Sequence, residues 1–261
     1  MQVGWIGLGQ MGAPMALRVA GVHPLVAHAR RPLEHDGLSQ AGARLTPSVI
    51  EAARDADVLC ACLFDDHQVH DALIAQGALT AMRPGGVLAL LSTGSPDLMA
   101  ELKGRAPDQV TILDVPFSGT ASIAAQGGLT LLVGGDPRGL ERARPVLATF
   151  ASTIIQVGDL GAGRKLKLIN NLLFAAQVSL AAEALAAIEG LGLDGPTGVK
   201  ALGHCSAASY AMAKFADVDP DHLLAALKPY LDKDVDAARE ALDGAKIDLP
   251  LLRAAAQWGT R

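Results

Sequence analysis

A doubly wound α/β domain followed by an all-helical domain is the architecture that this 261-residue sequence predicts. Three observations carry it. Up to about residue 157, short β-rich runs alternate with helical stretches, as in βαβ units around a parallel sheet. After the glycine-rich loop 158–163 the alternation stops, and Arg164 to Glu189 runs through good helix formers without proline or glycine. Half of the residues are apolar, 19% are charged and the mean hydropathy is +0.29, a balance that excludes disorder and supplies a packed core. With aromatics at 3%, that core is aliphatic.

The strand candidates, in order, are Val3 to Ile6, Leu25 to His28, Val58 to Leu63, Val87 to Leu91, Val110 to Leu113, Leu129 to Val133 and Thr153 to Val157. Several are apolar at consecutive positions, as strands covered by helices on both faces must be. Turn signals such as Arg83-Pro84-Gly85-Gly86 and Gly134-Gly135-Asp136-Pro137 fall between them. The helix over Arg164 to Glu189 would be roughly 40 Å long at about 1.5 Å per residue, more than a covering helix of a small α/β domain needs. Helical periodicity continues through Pro196 to Leu202, Ala207 to Phe215, His222 to Leu242 and Leu249 to Trp258. The expected division is therefore residues 1–160 and 161–261. Leu172 to Ile188 is the most membrane-like stretch, but Gln177, Ser179 and Glu183 interrupt it, so it reads as a buried helix of a soluble protein.

Charge and cysteine usage narrow the class. Lys+Arg at 22 against Asp+Glu at 27 gives a net charge of -5 with no basic block, which disfavours a nucleic-acid partner. Cys60, Cys62 and Cys205 cannot all pair with one another and show no CxxC spacing, so a reducing, cytoplasmic setting is expected. The opening MQVGWIGLGQMG reads as a first strand rather than as a targeting signal. Cys60 and Cys62 alternate on an apolar strand, and with His67 and His70 nearby they are read as packing residues rather than metal ligands. His204 beside Cys205 likewise reads as packing.

The first strand runs directly into Gly7-Leu8-Gly9-Gln10-Met11-Gly12, and a helix from about Gln10 to Ala20 follows. This is the setting of the Rossmann dinucleotide fingerprint. Gly7 permits the tight turn, Gly9 lets the backbone approach a pyrophosphate, and Gly12 allows close helix-on-strand packing. The second strand ends His28-Ala29-Arg30-Arg31, with no carboxylate at its tip to read a free ribose 2'-hydroxyl. Two arginines there lean towards NADP, while Glu34 and Asp36 lie close enough to serve a ribose in NAD.

Farther along, Asp114-Val115-Pro116-Phe117-Ser118-Gly119-Thr120 follows a strand, Gly161-Ala162-Gly163-Arg164-Lys165-Leu166-Lys167 opens the long helix, and Asn170-Asn171 comes within its next turn. On these residues the chain resembles the β-hydroxyacid dehydrogenase family, which includes 3-hydroxyisobutyrate dehydrogenase and tartronate semialdehyde reductase and is related to 6-phosphogluconate dehydrogenase. GLGQMGAPMA is similar to its N-terminal signature, DVPFSG to its DAPVSGG loop and the 161–171 stretch to its GxGxxxKxxNN element. Cys62-Leu63-Phe64 and Ser92-Thr93-Gly94-Ser95-Pro96 resemble its cofactor-side loops, and Lys233-Asp234-Val235 its KDL element. The resemblance implies Lys167 as acid/base and Asn171 as substrate-orienting group. It also implies Ser118, Gly119 and Thr120 on the substrate carboxylate, and Thr93 at nicotinamide or substrate. The cofactor would be held by Gly7 to Gly12 with His28, Arg30, Arg31, Leu63, Phe64 and Lys233.

The physical reading of these residues agrees. Lys167 and Asn171, four apart, share one helix face. Oxidising a hydroxyl by hydride loss needs a base for its proton, and a lysine serves if burial or nearby positive charge lowers its pKa. The implied protein is an NADP-preferring oxidoreductase, with NAD possible, acting on a small hydroxy acid or aldehyde acid as a homo-oligomer, a dimer. Departures from the family pattern are Thr120 where a second glycine is usual, Ala29-Arg30-Arg31 where NADP-using members often carry NRT, and an end at Arg261 ahead of the usual last helical segment. Imine reduction and a non-catalytic dinucleotide sensor are the alternatives, and the Lys167 and Asn171 pair weighs against both.

Overall fold

The computed structural model describes residues 1–31, 36–94, 97–215 and 220–256. Val3–Ile6 (β1) is buried along its whole length, and consecutive residues serve opposite layers: Trp5 points into one core and Ile6 into the other. Gly12–Ala20 (α1) leads to Leu25–His28 (β2), parallel to β1 with His28 opposite Ile6. Asp36–Gln40 (α2) and the three-residue strand Arg44–Thr46 (β3) follow, β3 pairing outside β2. Val49–Arg54 (α3), capped by Ser48, returns the chain to Val58–Ala61 (β4) on the other side of β1. Next come Asp66–His70 (α4), a π turn over Asp71–Ala75, Ala78–Ala81 (α5), Val87–Leu90 (β5), Asp97–Arg105 (α6) and Thr111–Asp114 (β6).

The order β3-β2-β1-β4-β5-β6 is parallel throughout, and the direction of winding reverses between β1 and β4. Open sheets of this kind take ligands outside the carboxyl ends of their strands at such a reversal. Beyond β6 the sheet departs from the parallel expectation. Phe117–Ser118 (β7) and Ala121–Ala125 (α7) precede Leu129–Gly135 (β8), which runs antiparallel to β6 and β7. Phe117 and Ser118 pair with Leu131 and Thr130, so β7, α7 and β8 form a local antiparallel return rather than a crossover. Pro137–Leu147 (α8) then restores a parallel partner, Ala151–Gly158 (β9). β3 and β7 are strands that the apolar-run reading did not include, because each is too short to show a pattern.

Two layers hold the sheet, one around Trp5, Met15, Val19, Leu147 and Phe150 and the other around Ile6, Leu59, Leu73, Leu88 and Met99. The Trp5 and Phe150 rings meet edge to face, with centroids 5.9 Å apart.

Ala162–Gly190 (α9) is the expected long helix. The chain divides into compact units Met1–Lys167 and Leu168–Arg261, so α9 starts in the first and continues in the second. α9 is long and apolar enough to cross a membrane by length and composition alone. In the second unit, however, its Leu172, Ala175, Val178 and Ala181 enter a helical core. That core is completed by Gly195–Leu202 (α10), Tyr210–Lys214 (α11), Pro220–Gly244 (α12) and Pro250–Ala255 (α13), with Asp194 and Ser209 capping α10 and α11. No strand occurs among the described residues of this unit.

Truncating Phe150 to Ala removes both core volume and the edge contact to Trp5. It should cost about 3–5 kcal/mol in urea unfolding of the full chain.

Candidate active site

The loop after β1 is built on contacts that admit only glycine at two points. Gly7 has φ +97°, and a Cβ there would lie 2.0 Å from the carbonyl oxygen of Cys62; one at Gly12 would lie 2.0 Å from the carbonyl oxygen of Gly7. That Gly7 carbonyl also accepts a hydrogen bond from the buried indole N–H of Trp5 at 2.9 Å. Gly9 differs, for a Cβ on it would meet no atom within 4 Å. Its missing side chain leaves an open cradle over the start of α1, where Met11 supplies no side-chain cap to the first-turn N–H groups. An unfilled cradle before uncapped helix-start donors fits a pyrophosphate, so these residues suit a dinucleotide. Gln10 and Leu8 complete the loop, exposed and partly buried respectively.

His28, paired with Ile6 across β2 and β1, stands beside this loop. Burial pulls its pKa down, and the charge of Arg30 adds to that, against a hydrogen bond with the backbone of Pro47 that raises it. It is therefore neutral at pH 7. Arg30 and Arg31 are exposed at the strand tip. Asp36 opens α2, and Glu34 lies outside the described residues.

The ends of β4 and β5 are laced together on the same side. Cys62 N–H donates to the Ile6 carbonyl at 2.8 Å, and Leu63 N–H donates to Oγ of the buried Ser92 at 2.8 Å. Leu63 thus borders Gly7, Thr93 follows Ser92, and Phe64 is exposed. Burial raises the Cys60 thiol strongly and pushes Cys62 up to about 12, so both are neutral packing groups at pH 7. Ser95 and Pro96 lie outside the described residues.

Ser118 to Thr120 correct one expectation. They are not simply a loop after a strand: Ser118 belongs to β7, paired with Thr130, and Thr120 caps α7 by accepting the Ile123 N–H at 3.4 Å. Gly119 has φ +136°, and a Cβ there would press on Leu129 at 2.5 Å. The three are exposed, and α7 packs against α1, which brings this stretch to the glycine-loop side of the sheet.

Lys167 is partly buried on α9, and Asn171, one turn on, is 6% exposed and accepts a hydrogen bond from the Asn170 amide at 3.0 Å. Lys233 belongs to α12, but its side chain lies outside the described residues. Sequence reading missed Trp5 and Ser92 as supports of the cofactor loops. An indole in a first strand reads only as core, and a serine at a strand end carries no signal of a partner twenty-nine residues away.

Comparison with known proteins agrees with this geometry. Residues 2–158 match the NAD binding domain of 6-phosphogluconate dehydrogenase, and residues 161–260 match the family described as NAD-binding of NADP-dependent 3-hydroxyisobutyrate dehydrogenase. An oxidoreductase of Mycobacterium tuberculosis is 35% identical over 204 residues, 74% of this chain; the chain spans 66% of that relative's length. The NAD-dependent L-serine dehydrogenase of Pseudomonas aeruginosa is 31% identical over 267 residues, 96% of this chain and 88% of the relative. The solved structure of Mycobacterium tuberculosis 3-hydroxyisobutyrate dehydrogenase with L-serine superposes with a TM-score of 0.86 at 30% identity, over 98% of this chain and 91% of that one.

The two helix-start glycines separate binding from folding. Gly9→Ala should leave the unfolding midpoint unchanged or slightly raised, yet weaken binding of the reduced nicotinamide dinucleotides, NADH or NADPH, about ten-fold or more in a fluorescence titration. Gly12→Ala should instead destabilise the fold by about 1–3 kcal/mol in urea unfolding.

Proposed function

The chain belongs to the 3-hydroxyisobutyrate dehydrogenase family of NAD(P)-dependent hydroxyacid dehydrogenases, and from that premise we propose that it moves hydride between NADP and a small β-hydroxy acid or its semialdehyde. The observation that carries the reading is the pairing, in one chain, of an open glycine cradle with Lys167 and Asn171 one turn apart on α9. A bound nicotinamide supplies the hydride acceptor or donor.

The protein's own groups do the rest. Lys167 takes the hydroxyl proton as the alcohol is oxidised and returns it to the carbonyl oxygen in the reverse direction. Asn171, largely buried and tied to Asn170, offers a fixed amide that orients the same oxygen. Ser118 and Gly119 hold the substrate carboxylate with hydroxyl and backbone donors, the positive φ of Gly119 being one that glycine adopts freely. Thr120, committed to capping α7, narrows the loop, which favours a small acid. Arg30 and Arg31 at the tip of β2 take the 2'-phosphate, a forked charge-assisted contact that NAD does not offer. The description of the C-terminal family as NADP-dependent supports that preference. The serine and 3-hydroxyisobutyrate named for the relatives support testing both compounds first.

Absorbance at the nicotinamide band, with 3-hydroxyisobutyrate and L-serine and with either cofactor, tests the proposal. Lys167→Ala should lose about 10²–10⁴-fold in turnover while still binding cofactor. Unchanged turnover in that variant would overturn the acid/base role of Lys167, and none with either acid despite tight NADPH binding would favour the imine or sensor alternatives. Arg30→Ala should cost about 1.5–3 kcal/mol of NADPH binding and leave NADH binding untouched; equal losses for both would remove the case for NADP.

A further inference from the structure

The start of α9 lacks the local residues that normally cap a helix. Gly161, at the cap position, has no side chain, and the residue three farther on is Arg164 rather than a Glu or Gln. Both donors that a capping box would satisfy are nevertheless bonded. The carboxylate of Asp114, fully buried at the end of β6, accepts the Gly161 N–H through Oδ1 at 2.9 Å and the Arg164 N–H through Oδ2 at 2.8 Å. A residue 47 positions earlier therefore supplies both halves of the cap.

The surroundings are cut to this contact. A Cβ on Gly134 would lie 2.1 Å from Asp114 Oδ1, and one on Gly163 would lie 2.7 Å from Oδ2 and 2.4 Å from the Leu132 carbonyl. The side chain of Arg164, 1% exposed, reaches Asp66 Oδ1 at 3.3 Å. Burial lowers its pKa while Asp66 and Asp114 raise it, and the guanidinium stays charged. Asp66 in turn presses on the loop after β5, since a Cβ on Gly94 would lie 1.9 Å from its Oδ1. These contacts join the loops after β4, β5 and β6 to the first turn of α9, and Arg164 lies on the same helix face as Lys167, three residues on.

We propose that Asp114 and Arg164, with Asp66, are positioning residues that set the azimuth and depth of Lys167 relative to the cofactor-side loops. The proposal rests on the acid/base reading of Lys167. Neither Asp114 nor Arg164 touches the reacting atoms in this scheme; both act through the seat of α9.

Hydrogen exchange on the full apo chain tests the seat without any turnover. In Asp114→Asn, where an amide group meets a donor, the peptide 159–168 should exchange faster while peptides covering β1 to β5 stay protected. Arg164→Gln, which keeps both backbone donors and secures a folded sample, should speed exchange in 159–168 and 62–70 together. Unchanged protection in 159–168 in both variants, or a loss spread evenly over the chain, would overturn the proposal.

The kinetic arm uses 3-hydroxyisobutyrate and NADP+. Asp114→Asn should lose about 100-fold in kcat with NADP+ binding retained, and should lose nothing further when combined with Lys167→Ala. Equal losses with and without Lys167 would mark a merely structural role. Lost turnover in Lys167→Ala with unaltered kcat in Asp114→Asn would overturn positioning alone, whereas full turnover in Lys167→Ala would overturn the acid/base reading and the positioning role with it.

Discussion

The buried carboxylate of Asp114 is the constraint on which the rest of the first unit's chemistry hangs. A fully buried charge is tolerated only when its lone pairs are satisfied and its field is compensated. Here the satisfaction comes from two backbone N–H groups, and the compensation from the positive end of a 29-residue helix and the buried Arg164 guanidinium. Because both oxygens are engaged, α9 cannot slide or rotate at its origin without leaving a carboxylate unpaired. The antiparallel return of β8 belongs to the same constraint, since it pairs Gly134 with Asp114, where a side chain would meet one carboxylate oxygen.

A second close contact, between Gly7, Gly12, Cys62 and Trp5, fixes the cofactor loop. The two contacts obey one logic: backbone meets backbone or carboxylate at distances that only glycine permits, and within the cofactor loop Gly9, which packing does not require, is the glycine left for a ligand. Packing glycines and binding glycines look identical in sequence. What a Cβ would meet in the fold separates them.

Most of the first unit could be read directly from the chain because short β-rich runs alternate with helical stretches and several are apolar at consecutive positions, as buried parallel strands are; the seven runs correspond to seven strands, of which β9 is largely exposed. The boundaries moved by a residue or two, as with Thr111–Asp114 against Val110 to Leu113. Arg44–Thr46 and Phe117–Ser118 escaped because strands of three and two residues carry no period. Lys167 and Asn171 were legible through motif spacing alone; composition would have assigned the lysine to solvent. Ser92, Asp66 and Arg164 were not legible as site residues, since each acts through a partner distant in sequence, Ser92 on Leu63 and Asp66 on Arg164, and Trp5, whose partner Gly7 is two residues on, reads only as core. Asp114, like Ser92 and Arg164, stood inside a recognisable motif, yet nothing local in DVPFSG says that its carboxylate caps a helix that begins at Ala162.

Arg164 sharpens the point. A buried ion pair returns little net stability, because desolvating a guanidinium costs several kcal/mol and an apolar side chain of similar volume commonly does as well. Stability alone therefore gives no reason for an arginine with 1% exposure, 3.3 Å from a carboxylate that is itself one-third exposed. Direction does give one. An aliphatic side chain at the base of α9 would fill the space without adding any directional contact to the backbone cap that Asp114 supplies. A guanidinium held between Asp66 and Asp114 accepts few orientations, and those orientations are transmitted over one turn to Lys167. On the proposed reading of Lys167 as the proton acceptor, an interaction that contributes geometry rather than free energy belongs at the root of the helix that carries it.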